Sequence, residues 1–152
     1  MKKTLLIVLV ATAMVACKKK SDDTTTTGSS NDATITSVKS EVSQGTWRIT
    51  KFVDSGNDET ASFNGYNFTF MNGSLSATNG SSGVTGNWSV TDSNSSDDSP
   101  GDVHFNISIS SGNAFDELTE DWHFLSHSSS KIELIDESGG NGGTDYLTFE
   151  KN

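Results

Sequence analysis

The chain offers few groups for chemistry. His104, His123 and His127 are its only imidazoles and Cys17 its only thiol. In an extended strand His104 falls out of phase with Val103 and Phe105, and His123 and His127 fall out of phase with Trp122 and Phe124, so all three are expected on an outer face. Imidazoles on neighbouring strands can converge on zinc, but zinc sites usually add thiolate or carboxylate ligands in a shaped pocket. The expectation is therefore solvent-facing histidines and no metal site. Past residue 17 there is no thiol nucleophile, and the sequence has no Gly-x-Ser-x-Gly elbow, no His-Glu-x-x-His and no phosphate loop. Carboxylates are abundant but fall mostly in turns, where they are solvated, so no catalytic residue is assigned and the chain is read as a non-enzyme.

Acidic loops raise the question of calcium. Asp92-Ser93-Asn94-Ser95-Ser96-Asp97 has the first and third positions of a helix-loop-helix calcium loop, but Asp97 stands where glycine is needed and no glutamate follows at the twelfth position. Gly139 to Thr144 has the glycines of a calcium nonapeptide, yet puts Thr144 where aspartate is needed and occurs once, so it reads as a hairpin loop. Asp97, Asp98 and Asp102 leave weak calcium binding open, and no cofactor is assigned. The aromatic residues have two readings. Trp47, Tyr66, Phe68, Phe70, Trp88 and Trp122 either line a cavity for a small apolar ligand or fill a core.

What positions these residues is a succession of short alternating runs between Gly45 and Glu150. Trp47 and Ile49 begin it, followed by Tyr66 to Phe70, Leu75 and Ala77, Val84 to Val90, Val103 to Ile109, Trp122 and Phe124, Ile132 and Leu134, and Leu147 and Phe149. Period two over eight runs means eight strands, each with one buried face. Ser55 to Asp58, Asn72-Gly73, Asn79-Gly80, Asp92 to Asp102, Ser128 to Ser130 and Gly139 to Gly143 supply the connections, and Asn72-Gly73 is the most specific of them, because a two-residue hairpin loop needs positive φ at both positions. Ala114, Phe115 and Leu118 predict one helical turn. Asp32 is placed to cap a short helix carrying Ile35, Val38 and Val42 on one face; the alternative is that this stretch continues the linker before it.

Eight antiparallel strands joined by tight turns lose their edges by curling into an up-and-down β-barrel. The expected fold is all-β, a small antiparallel barrel with a short N-terminal helix, and a two-sheet β-sandwich is the alternative. A barrel of about 106 residues is either filled by its own side chains or keeps room for one small ligand.

Twenty acidic side chains stand against ten basic ones. Lys2 and Lys3 are the only charges before Cys17, so the chain from Cys17 onward carries a net −12. Such a chain repels nucleic-acid phosphates, and a nucleic-acid partner is excluded.

The first residues have the layout of an export signal: Lys2 and Lys3, then an uncharged stretch from Leu5 to Val15 that is too short to span a bilayer. Met14-Val15-Ala16-Cys17 resembles the lipobox of bacterial lipoproteins, which implies cleavage after residue 16 and acylation of Cys17 by palmitate-type chains. Two or more acyl chains hold a soluble domain stably to a membrane. Residues 17–31 read as a flexible tether, and residues 32–152 as the barrel domain. Ser21-Asp22-Asp23 is similar to the acidic export signal of surface lipoproteins of the Bacteroidota, and Lys18 after the cysteine is similar to lipoproteins sent to the outer membrane. Asp23-Thr24-Thr25 resembles that phylum's O-glycosylation motif.

Gly45-Thr46-Trp47, following a short helical segment, resembles the Gly-x-Trp opening of lipocalins, and Gly86-Asn87-Trp88 and Asp121-Trp122 echo it. Thr144-Asp145-Tyr146 reads like a lipocalin Thr-Asp-Tyr motif. The stretch Gly45 to Glu150 is similar to the lipocalin-like domains of uncharacterised Bacteroidota lipoproteins. The resemblance implies an outer-membrane, lipid-anchored and surface-displayed monomer. Its barrel would bind a small apolar ligand or an envelope protein, or would serve as a structural or accessory subunit with a filled interior.

Overall fold

A computed structural model describes residues 30–92, 102–137 and 143–152. Cys17, the linker after it, Asp97, Asp98 and the glycines at 139–142 lie outside the described residues.

Helix α1 spans Ser30–Val42 and is followed by strands β1 (Trp47–Asp54), β2 (Asn57–Asp58), β3 (Asn67–Met71), β4 (Ser74–Thr78) and β5 (Gly83–Asp92). Strands β6 (Val103–Ile109), β7 (Asp121–His127), β8 (Lys131–Glu137) and β9 (Thr144–Lys151) complete the sheet. Neighbours pair antiparallel in the order β1-β3-β4-β5-β6-β7-β8-β9, and β9 returns to pair with β1 along most of its length. That closure makes an eight-stranded up-and-down barrel and excludes the sandwich. β2 is a two-residue addition, folded back on β1 through the turn at Ser55 and Gly56. At the β3–β4 hairpin both Asn72 (φ 52°) and Gly73 (φ 80°) are left-handed, as the dipeptide demands.

The alternation puts one face of every strand inside. Trp47, Ile49, Phe68, Phe70, Leu75, Trp88, Val90, Phe105, Ile107, Trp122, Ile132, Leu134, Leu147 and Phe149 are all buried. Each fully buried side chain of this size contributes roughly 1.5–3 kcal/mol relative to exposure. Two irregularities break the period. Between Ile49 and Lys51 the β1–β9 register shifts, which turns Phe52 inward where strict alternation would send it out. A second shift lies between Phe124 and Ser126 on β7.

Both ends of the barrel are stoppered. α1 lays Val38 and Val42, both buried, over one end. Across the molecule two 3-10 turns, Thr60–Phe63 and Ala114–Leu118, insert Phe63, Phe115 and Leu118. The second turn is organised by Asn113, whose Oδ1 accepts from the Phe115 amide at 3.0 Å. Asp116 adds to it, its carboxylate accepting from the Ser111 amide (2.6 Å), the Ser111 hydroxyl (2.8 Å) and the Gly112 amide (2.8 Å). The first turn closes a weak seam, because β1 and β3 share one bridge pair, Trp47 with Phe68. There Thr60 Oγ1 accepts from the Phe52 amide at 2.8 Å, and the Glu59 amide donates to the Phe52 carbonyl at 2.9 Å, standing in for the missing ladder.

Candidate functional site

The six aromatic residues considered for a ligand lining do come together. Trp47, Phe68, Phe70, Trp88 and Trp122 are buried and Tyr66 is half-buried. Phe70 packs on Trp88, and all but Trp47 pack on further rings. Phe70 meets Trp88, Phe105 and Phe149 at centroid distances of 5.5, 5.6 and 5.5 Å, all edge-on. Phe52 meets Trp122 at 6.5 Å and Phe63 at 5.4 Å, while Tyr66 rests against Phe115 at 4.9 Å. Edge-to-face rings at these spacings are in contact across the barrel interior. Two indoles are also hydrogen-bonded at the stoppers: Trp47 Nε1 donates to the Val42 carbonyl (2.9 Å) and Trp122 Nε1 to the Leu118 carbonyl (3.1 Å). Phe52 and Phe63 are interior residues that the alternation missed, the first because of the bulge before it and the second because it stands alone in a polar segment.

Three cavities lie on the outside of the barrel. A half-open one of about 320 Å³ sits where α1 meets the barrel rim, lined by Lys39 and Ser43 of the helix, Asn72 and Gly73 of the β3–β4 turn, and Trp88 and Ser89 of β5. A second, of about 280 Å³, lies on the other flank of α1, beside Thr34, Asp102, His123, Phe124, Leu125 and His127. A shallower depression of about 170 Å³ lies over Asn87, Ser89, Asn106 and Ser108 on the outer face of β5 and β6.

His104 corrects the expectation of solvent-facing histidines, whereas His127 is exposed and His123 half-buried. His104 is outward in phase but buried, because it stands opposite His123 in the β6–β7 ladder and the two rings lie 4.4 Å apart. Its Nδ1 is 3.8 Å from an Asp121 carboxylate oxygen. His127 is carried away from this pair. The register shift before it brings its ring against Phe124 at 5.6 Å, and its Nδ1 lies 3.1 Å from Glu41 Oε2, so it ties β7 to α1. The three imidazoles therefore do not converge as ligands.

Carboxylates do converge elsewhere. Glu120, Asp121 and Asp136 place one oxygen each within 4.8 Å of the others, the one such group among the described residues. Partial burial raises the Glu120 carboxyl above its ordinary value, reinforced by the negative charges of Asp136, Asp121 and Asp145. Asp136 and Asp145 are direct partners across β8 and β9, which concentrates like charge at this end of the barrel. Asp102, considered for calcium, is instead in the wall of the second cavity.

The molecule thus belongs, by architecture, to the closed up-and-down antiparallel β-barrels, stoppered by a helix at one end and by two 3-10 turns at the other. Comparison of the chain with protein-family models, with curated proteins and with solved structures finds no match.

Proposed function

We propose that the chain is a lipid-anchored envelope lipoprotein of the lipocalin-like kind and that its barrel is a rigid accessory module rather than a carrier. Cys17, behind the Lys2-Lys3 and Leu5 to Val15 export layout, is the anchor. The observation that carries the accessory reading is the packed interior. Four of the six aromatic residues that a carrier would turn toward its cargo, Phe68, Phe70, Trp88 and Trp122, are buried against other rings, and three cavities lie on the flanks of α1 and on the outer wall. A carrier barrel keeps a largely apolar pocket of several hundred Å³ in its interior. The outer surface suits a module held near polar partners: among the described residues the exposed large apolar side chains are Met71 and Leu125, on β3 and β7.

Native mass spectrometry of the protein extracted from membranes tests both halves. The expected spectrum is a chain beginning at Cys17 with the mass of its acyl groups and no retained apolar small molecule. An additional stoichiometric lipophilic mass would restore the carrier reading, and an unacylated chain would remove the anchor. Cys17→Ser is expected to release the protein from the membrane fraction.

A further inference from the structure

The cavity between α1 and the β3–β4 turn has a chemistry unlike the rest of this molecule. The chain is strongly acidic, yet the one charged residue lining this cavity is Lys39. Lys39 is exposed and pairs with no carboxylate among the described residues, and Ser43, just past the end of α1, lines the same cavity. Asn72, across the cavity, adds an amide at the tip of a turn whose left-handed backbone places it on the rim. The third wall is Trp88. Its indole Nε1 is buried without a hydrogen-bond partner, whereas the other two indoles, Trp47 and Trp122, each donate to a carbonyl. An unmade hydrogen bond at a buried N–H costs about 1–3 kcal/mol, so this donor favours any acceptor that reaches it.

Lysine ammonium, carboxamide and hydroxyl groups around an aromatic wall make a donor-rich, locally positive hollow. A volume of about 320 Å³ is at the small end of ligand sites. We infer that this cavity binds a small organic carboxylate, with the carboxylate at Lys39 and Asn72 and its apolar part against Trp88. The site opens beside α1 and shares Trp88 with the barrel interior, where that ring also packs on Phe70 and Phe105, but it does not depend on the accessory reading. It also gives the helix a second task besides stoppering the barrel: α1 supplies the charge, and the strands supply the wall.

The test is titration of the full chain, labelled with ¹⁵N at its tryptophans, with benzoate and separately with benzyl alcohol. The three indole N–H resonances are assigned by Trp→Phe substitutions. Benzoate at millimolar concentration is expected to move the Trp88 resonance saturably and leave those of Trp47 and Trp122 in place. Benzyl alcohol, which has the same ring without the charge, and the Lys39→Gln variant are each expected to weaken binding about tenfold. Lys39 is exposed and makes no ion pair among the described residues, so the variant should fold as the parent does, and unchanged thermal unfolding would confirm that. An unmoved Trp88 resonance overturns the site. Equal binding of benzoate and benzyl alcohol, or an unaffected Lys39→Gln variant, overturns its assignment to anions. Movement of the Trp47 and Trp122 resonances instead would place the ligand inside the barrel, and would overturn the filled-interior reading as well.

Discussion

The indole N–H of Trp47, first residue of β1, donates to the carbonyl of Val42, last residue of α1, at 2.9 Å in a buried setting. One bond thus joins the helix that stoppers the barrel to the strand that closes it. Gly45, in between, takes a left-handed φ of 77°, which lets the chain reverse from helix to strand within a few residues.

Trp47→Phe keeps most of the ring but leaves the Val42 carbonyl without its donor. The expected cost is about 1–3 kcal/mol, from the unpaired buried carbonyl together with the lost packing. Amide hydrogen exchange should show the loss of protection concentrated in α1, with the strands near their parental values. Uniform loss throughout the barrel would mean that Trp47 acts as a core filler rather than as the helix tie.

Gly86 tests the closeness of β5 and β6. A Cβ there would stand 2.5 Å from the Ser108 carbonyl oxygen and 2.7 Å from Ile109 Cγ1, and the first of these is backbone that cannot swing aside. Gly86→Ala is expected to destabilise the fold by about 1–3 kcal/mol, the usual cost of overpacking. Chemical denaturation with an unchanged slope checks it. At Gly56, where nothing lies within 4 Å, a D-alanine of matching positive φ introduced by semisynthesis should be tolerated.

Phe70 sits between Trp88, Phe105 and Phe149. Phe70→Ala is expected to cost about 3–5 kcal/mol through lost burial and the void left behind. If the interior is packed as described, the variant and not the parent should take up xenon under pressure. Xenon binding by the parent would reveal free space inside.

Two carboxylates give opposite pH dependences. Glu120 is raised above its ordinary 4.5 by burial and by its acidic neighbours, so the folded state holds this proton more tightly than the unfolded state. Its effect on stability is an ionisation penalty that grows as pH climbs from about that value through the raised one, and Glu120→Gln should stabilise at neutral pH with a gain that vanishes in acid. Asp116 is lowered below 3.8, chiefly by the backbone and hydroxyl of Ser111. Its contribution is present above that value and disappears as pH falls through the lowered one, so Asp116→Asn should destabilise at neutral pH and converge with the parent in strong acid. Unfolding midpoints of both variants across pH 2–8 check the signs. Parallel curves for parent and variant would contradict either assignment.

Much of the barrel was readable because its strands obey one rule. Alternation between Val84 and Val90, or between Val103 and Ile109, assigns both strand and buried face without reference to any other residue. Asn72-Gly73 acts equally locally, since positive φ is a property of two consecutive residues. The reading failed where a strand takes in an extra residue. Neither the bulge that turns Phe52 inward nor the shift that sends His127 toward Glu41 leaves a mark in composition, because each is defined by the partner strand.

The sequence by itself determined the strand-forming alternation, the turns, the acidity and the single thiol at Cys17, all of which follow from near neighbours or from counting. Tertiary structure alone decided that β9 closes on β1 and which rings meet inside the barrel. It also decided that His104 is buried and that Lys39, Asn72 and Trp88 line one hollow. These are relations between residues dozens of positions apart, set by which strand faces which and by how far a helix reaches across a rim, and no local preference encodes them.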